Sequence, residues 1–328
     1  MRNSIRAAFL FCAAMIVAAP AVAQTAANYP SQPVKLLVPF PPGGGADVLA
    51  RMFGQRFAAT LGQPFVVENK PGAGTLLAVS LAAQAPADGY TLITATADML
   101  AVASALYRNP IAVPEKELTP IGQVVQTPLV LVVRPDSPYK SLGELLDAAR
   151  KTPGKLTYGS AGIGTIHHLA MELLMRDSKT ELRHIAYKGS SAALGDLLGG
   201  HVDVMFLDSP LALGQLKASK VRPLAVSSAK RLSMVADIPT VAEQGFAGYE
   251  ALSWMGFAAP RGTPKEVLTK VHGAIRDALA TAEVQERLRT MGVEAVGSAS
   301  PEAFDAYATR ERQRWGALIK SANIELMN

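Results

Sequence analysis

Short apolar runs alternate along the chain with segments whose apolar residues recur at helical spacing, which predicts an α/β protein with mostly parallel sheets. Residues 34–40 (VKLLVPF) read as a buried strand. The loop Pro41-Pro42-Gly43-Gly44-Gly45 follows, then a helix from about Asp47 in which Val48, Leu49, Met52, Phe53 and Phe57 share one face and Gly62 supplies the stop. Further strands are predicted at 64–68, 90–95, 129–133, 156–159, 184–187, 202–206 and 222–226, with helices between them. The C-terminal part reads as helical. Thr263-Pro264-Lys265-Glu266 offers a cap and a proline at the first helical position, ahead of Val267, Leu268, Val271, Ile275 and Leu279. Ser300-Pro301-Glu302 starts another helix, whose stripe of Phe304, Tyr307, Trp315, Leu318 and Ile319 reads as core packing.

One pattern occurs twice. Residues 35–53 read strand, Gly-rich loop, amphipathic helix, and residues 155–174 (KLTYGSAGIGTIHHLAMELL) repeat it with Thr165 as N-cap. A Gly-rich loop feeding a helix N-terminus presents unpaired N–H groups and the positive end of the helix dipole. Two such loops in separate halves can close on one anionic ligand; the alternative is a pair of ordinary strand-to-helix turns at the crevice of an open sheet.

The chain has 328 residues, 49% hydrophobic and 18% charged, which excludes a disordered chain and a disulfide-stapled miniprotein. That length fits roughly two units of about 100 to 200 residues. Lys and Arg exceed Asp and Glu by 32 to 27, but no basic run exceeds two, so nucleic acid is not an expected partner. The first 23 residues change the picture: Arg2 and Arg6 precede an apolar stretch from Ala7 to Ala19, and Ala21-Val22-Ala23 offers small residues at a cleavage site before Gln24. A cleavable signal peptide over 1–23 is expected, since the apolar stretch falls short of the ~20 residues a spanning helix needs. Its removal takes Cys12, the only cysteine, which excludes thiol catalysis, thiolate metal sites and disulfides in an exported product.

Catalytic motifs do not match. Gly72-Ala73-Gly74 and Gly162-Ile163-Gly164 begin GxGxxG, but Leu77 and His167 stand at the third position. Gly154-Lys155 is followed by Leu156, not Ser or Thr. Ser160 lies at a strand-to-helix elbow with Tyr158 where an esterase motif has Gly. His167 and His168 are adjacent and point to different sides of a helix, unlike an i, i+4 metal pair, so neither metal nor cofactor is expected.

Several longer blocks, taken in order, are informative: PVKLLVPFPPGGGADVLARMF (33–53), GQPFVVENKPGAG (62–74), ADGYTL (87–92), TPGKLTYGSAGIGTIHHLA (152–170), AYKGSSAALGDLLGGHVDVMF (186–206) and the segment 228–267 ending in PRGTPKEV. In these blocks the chain resembles the Bug family, the extracytoplasmic receptors of tripartite tricarboxylate transporters. The resemblance implies a two-lobed periplasmic binding protein of type II topology with a central cleft, two crossing segments near 122–127 and 249–255, and hinge closure on ligand. Lobe one would comprise 24–125 and 250–328, including the C-terminal helices, and lobe two 126–249. It further implies a periplasmic monomer without catalytic activity that delivers a small carboxylate to integral-membrane transporter subunits. A ligand-sensing partner of a membrane kinase and a secreted hydrolase are the alternatives.

Carried over position by position, the resemblance implies first-loop contacts from Phe40, Gly43, Gly44, Gly45 and Asp47, with N–H donors at the three glycines, Phe40 as a wall and Asp47 fixing the loop. Thr96 and Ala97 would line the same side. From lobe two come Ser160, Gly162, Ile163, Gly164 and Thr165, the last as contact or N-cap, with His168 buttressing the loop and Asp208 and Ser209 at a strand end. Where many relatives have Asn, this chain has Ile163; where they have Asn-Gly it has Ala97-Asp98, and where they have Asp-Asn it has Leu207-Asp208. Ile163 and Leu207 point to an apolar or aromatic ligand body beyond one carboxylate, while Asp208 would pair with an ammonium or accept from a hydroxyl.

Overall fold

The computed structural model describes residues 28–328; the expected signal peptide and its cleavage site lie outside the described residues. In chain order the elements open with β1 (Val34–Val38), α1 (Gly45–Leu61), β2 (Phe65–Asn69), α2 (Leu76–Ala83), β3 (Thr91–Thr96), α3 (Ala103–Leu106) and α4 (Pro114–Glu117). β1 lies between β2 and β3, parallel to both, because α1 and α2 supply the crossovers that parallel neighbours require. α1 buries Leu49, Ala50, Phe53 and Phe57 on the sheet and stops where Gly62, at φ 79, takes the left-handed cap.

The 16-residue strand β4 (Leu118–Val133) then runs through both halves of the molecule. Its first part, to Pro128, pairs antiparallel with β9; from Leu129 to Val133 it pairs with β7 and β8 instead. The prolines of β4 fall where a missing N–H costs least: Pro120 at a register shift and Pro128 where the partners change. At the switch Leu129 N–H donates to Ser227 Oγ, which donates to Ala251 O, so a fully buried hydroxyl ties the two crossing strands together.

The second half continues with α5 (Leu142–Lys151), β5 (Thr157–Ser160), α6 (Ile166–Ser178), β6 (Arg183–Ala186), α7 (Ser190–Gly199), β7 (Val204–Asp208), α8 (Ser209–Lys217) and β8 (Arg222–Val226). β5 is parallel to β6 and β7, as β1 is to its neighbours. β9 (Leu252–Pro260) returns to the first half, where α9 (Lys265–Leu279), α10 (Ala282–Thr290), β10 (Glu294–Ala295) and α11 (Pro301–Ser321) complete the chain. The sheet order β2-β1-β3-β9-β4-β7-β5-β6 is therefore two α/β lobes sharing β4. One apolar cluster packs α1 and α9 on the first lobe and another packs α7 and α8 on the second. A third, holding Trp254, Phe304 and Trp315, spans both lobes under α6 and α11.

Three expectations are corrected. The sheet is mixed, because β4 and β9 run antiparallel to their neighbours. β4 begins eleven residues before the expected 129, and β9 occupies a segment expected only as a crossing. Thr263 is not the cap of α9: its hydroxyl donates to Pro260 O, and Pro264 stands at the cap position. Ser300 does cap α11, accepting from Ala303 N–H.

Candidate functional site

The parallel strands of each lobe lead into loops at their C-terminal ends, where open α/β sheets bind ligands. Three residues beyond the Leu37–Ile93 pair, the chain leaving β1 reaches Phe40 and β3 ends at Thr96. The first loop, 41–45, is exposed, and its conformation is set by Asp47 from below. Asp47 Oδ2 accepts from Gly43 N–H at 2.9 Å and from Arg51 Nε at 3.0 Å, while Oδ1 accepts from Asn69 Nδ2 at 2.9 Å; the same amide also donates to Phe40 O. The Arg51 hydrogen bond, with smaller contributions from Gly43 and Asn69, holds the Asp47 carboxyl down at about 2. Asp47 therefore fixes the loop, as expected, but takes the Gly43 N–H that was expected to serve ligand. The N–H groups of Gly44 and Gly45 have no acceptor among the described residues, and open space lies beside Gly45. Phe40 is half-buried against the first-lobe cluster.

The second loop is built the other way: five of its N–H groups are already used. Gly162 N–H donates to Ser160 Oγ, Gly164 N–H to His168 Nδ1 and Thr165 N–H to Gly162 O. Ile166 N–H donates to Asp98 Oδ1, and His168 N–H reaches Thr165 Oγ1. Thr165 is thus the N-cap of α6, and its hydroxyl donates to Gly162 O rather than standing free. His168 buttresses the loop as expected: its Nδ1 accepts from Gly164 while Nε2 faces Glu172, which also accepts from Tyr158 OH at 2.6 Å. Burial would raise Glu172, but these hydrogen bonds hold it below the usual range. The His168 and His184 rings stack 4.0 Å apart, and Tyr158 stacks on His184. Burial, then the neighbouring His168, pushes His184 down to about 4.

Ser160 Oγ lies 2.7 Å from His184 Nε2, a spacing a nucleophile and its base would have, yet Ser160 has no exposed surface and its hydroxyl is enclosed by Gly162. Ser209 is likewise buried, its hydroxyl donating to Gly292 O. Ala97, like Ser160 and Ser209, is fully buried. Leu207 packs with Val130, Val132 and Ala212 inside the second-lobe core. Ile163 is 41% exposed at the loop tip, so the expectation of an apolar ligand body loses one of its two supports.

The residues that sequence reasoning missed are Asp98, His167 and Ser190. Asp98 belongs to the first lobe, one position past the expected Ala97, and its carboxylate caps the first turn of second-lobe α6 at 3.2 Å. His167 Nε2 and Ser190 Oγ meet Asp208 Oδ2 at 2.9 and 3.1 Å. Burial pushes Asp98 up to about 6, against the pull of His167 and Ile166 N–H. Burial opposes the charge of His167 too, but Asp208, then Asp98, hold it above its ordinary value; His167 and Ser190 in turn hold Asp208 low against burial. The acidic Asp98 directly after the expected Ala97 was the available signal. Thr96 Oγ1, Thr75 Oγ1 and His167 Nδ1 are buried without a partner among the described residues, and Thr75 sits at φ 85, costly for a β-branched residue. Among the described residues no three His, Cys, Asp or Glu side chains gather to hold a metal, and no helix is long and apolar enough to cross a membrane.

Residues 49–324 match the family described as tripartite tricarboxylate transporter family receptor. The chain is 34% identical over 319 residues to BugT of Bordetella pertussis, covering 97% of this chain and 96% of that one. Among solved structures it is similar to R. palustris Rpa4515 with adipate, at 35% identity, 91% and 100% coverage and a TM-score of 0.84. It is also similar to MatC from Rhodopseudomonas palustris with bound malate, at 31% identity, 89% and 100% coverage and a TM-score of 0.78. With the two lobes, the shared strand β4 and the paired strand-loop-helix units already in place, this chain belongs to the tripartite tricarboxylate transporter receptor family, which includes the Bug proteins.

Proposed function

We propose that the chain is a periplasmic solute-binding receptor that captures a small carboxylate between its lobes and delivers it to integral-membrane transporter subunits. In this reading residues 1–23 are removed on export, 24–125 and 250–328 form lobe one, 126–249 form lobe two, and the receptor works as a monomer. The observation that carries it is the start of α1: exposed Gly44 and Gly45 N–H groups without acceptors, at the positive end of a 17-residue helix, beside the strand end that holds Thr96. Ligands of relatives, adipate and malate, are of the same class. Ser160 and His184 are read as loop architecture, because a nucleophile without exposed surface meets no substrate.

The test is a thermal-shift titration of the exported protein, unfolded and refolded to strip ligand, against mono-, di- and tricarboxylates, amino acids and uncharged analogues. Ligand at about a thousandfold above Kd adds roughly 4 kcal/mol of stability and raises Tm by several degrees. A shift with carboxylates that vanishes in Gly44→Val supports the reading. No shift with any carboxylate removes it. The mass of the exported chain checks cleavage before Gln24.

A further inference from the structure

The two loops are unequal: the first is open to an anion, and the second already holds one, Asp98, which the chain itself supplies from the other lobe. We propose that Asp98 sets the ligand class, so that the cleft takes a monocarboxylate bearing a hydrogen-bond donor at its far end and rejects dicarboxylates. This rests on the carboxylate-receptor reading above.

Three observations carry it. Asp98 Oδ1 accepts the first N–H of α6, the position where a second carboxylate of a ligand would otherwise bind, while Oδ2 accepts from no group among the described residues. The charged groups that act on Asp98 are His167 and Asp208. Above about pH 6, where Asp98 and Asp208 are ionised, the three groups sum to −1 with the imidazole protonated and to −2 with it neutral, so a second carboxylate meets net repulsion. Independently, the Thr96 hydroxyl, two residues before Asp98 and only 7% exposed, has no partner, and a buried hydroxyl without one marks a place where a ligand group completes the set. An ammonium or hydroxyl can donate to Asp98 Oδ2, whereas a carboxylate can only accept.

The experiment titrates refolded wild type and Asp98→Asn with three ligands of one length: ω-aminohexanoate, ω-hydroxyhexanoate and adipate. Asparagine keeps a side-chain oxygen for Ile166 N–H and removes the charge. Wild type is expected to bind one or both donor-bearing monocarboxylates about tenfold or more tighter than adipate, and the variant to lose or reverse that preference. The amino and hydroxyl arms separate charge pairing from hydrogen bonding. Tighter binding of adipate by wild type, or an unchanged ratio in the variant, overturns the inference and leaves the receptor reading intact. Binding of none of the three, with no other carboxylate shifting Tm, overturns both. The wild-type ratio is decisive alone if the variant does not fold.

Discussion

Gly164, in the second lobe, packs against Leu106 of the first so closely that a Cβ there would collide with Leu106 Cδ2. Its φ of 75 also lies in the left-handed region, where a side chain costs about 1 to 2 kcal/mol. Gly164→Ala is therefore expected to lower stability by that amount and, separately, to prop the lobes apart and weaken ligand binding about tenfold or more. Adding Leu106→Ala removes the obstruction but not the backbone cost. Recovery of affinity in the double variant by calorimetry supports the contact as a limit on closure; equal loss in both variants assigns the effect to backbone strain alone.

Asp47 gathers three elements by accepting from Gly43, Arg51 and Asn69. Asp47→Asn removes charge-assisted bonds with little change of volume and is expected to cost about 1.5 to 3 kcal/mol. Because the first loop loses its template, affinity should fall as well. A variant with unchanged Tm and affinity would show that the loop holds its shape without the carboxylate.

The stacked histidines predict a stability slope. His184 is pushed down to about 4, whereas an unfolded histidine titrates near about 6.5, so between these values the unfolded chain binds the extra proton. This contribution is fully present above about pH 6.5 and is lost as pH falls toward 4, on the order of 2 kcal/mol after allowance for the partly exposed ring. Asp98, pushed up to about 6, acts in the opposite sense: the folded state keeps a proton that the unfolded state releases near about 3.9. Thermal melts from pH 4 to 7.5 should show a shallower acid loss in His184→Gln than in wild type, and a slope unchanged by the substitution would refute the assignment.

Leu207 and Ile163 separate core from cleft. Leu207→Ser places a hydroxyl in a fully buried apolar cluster and should cost about 3 kcal/mol or more. Ile163→Ser, at an exposed loop tip, should stay within about 0.5 kcal/mol of wild type. Comparable Tm losses in the two variants would mean that Ile163 packs against something in solution.

Local pattern carried much of the fold. The short apolar runs of the strands, the 3.6 period of α1, the cap at Ser300 and the glycine stop at Gly62 are decided within a few residues, and 222–226 forms a strand as read. The repeated strand-loop-helix unit likewise placed both loops, because the backbone there follows from nearby glycines and a nearby cap.

What the sequence could not express was partnership across distance. Whether an N–H in a Gly-rich loop is free or taken depends on acceptors far along the chain: Gly44 and Gly45 stay open, whereas Ile166 is satisfied by Asp98 from the other lobe. Only the end of the long strand β4 read as a strand and its earlier part as a crossing, because its partners change at Pro128, a fact of sheet assembly that no window of residues contains. The resemblance placed Ala97 and Leu207 toward the ligand, whereas packing buries both in the core. The sequence alone determined the elements, the two loops and the family pattern, since these rest on local sterics and hydrophobic period; only the tertiary structure decided which polar groups remain unpaired, since desolvation and pairing act through space.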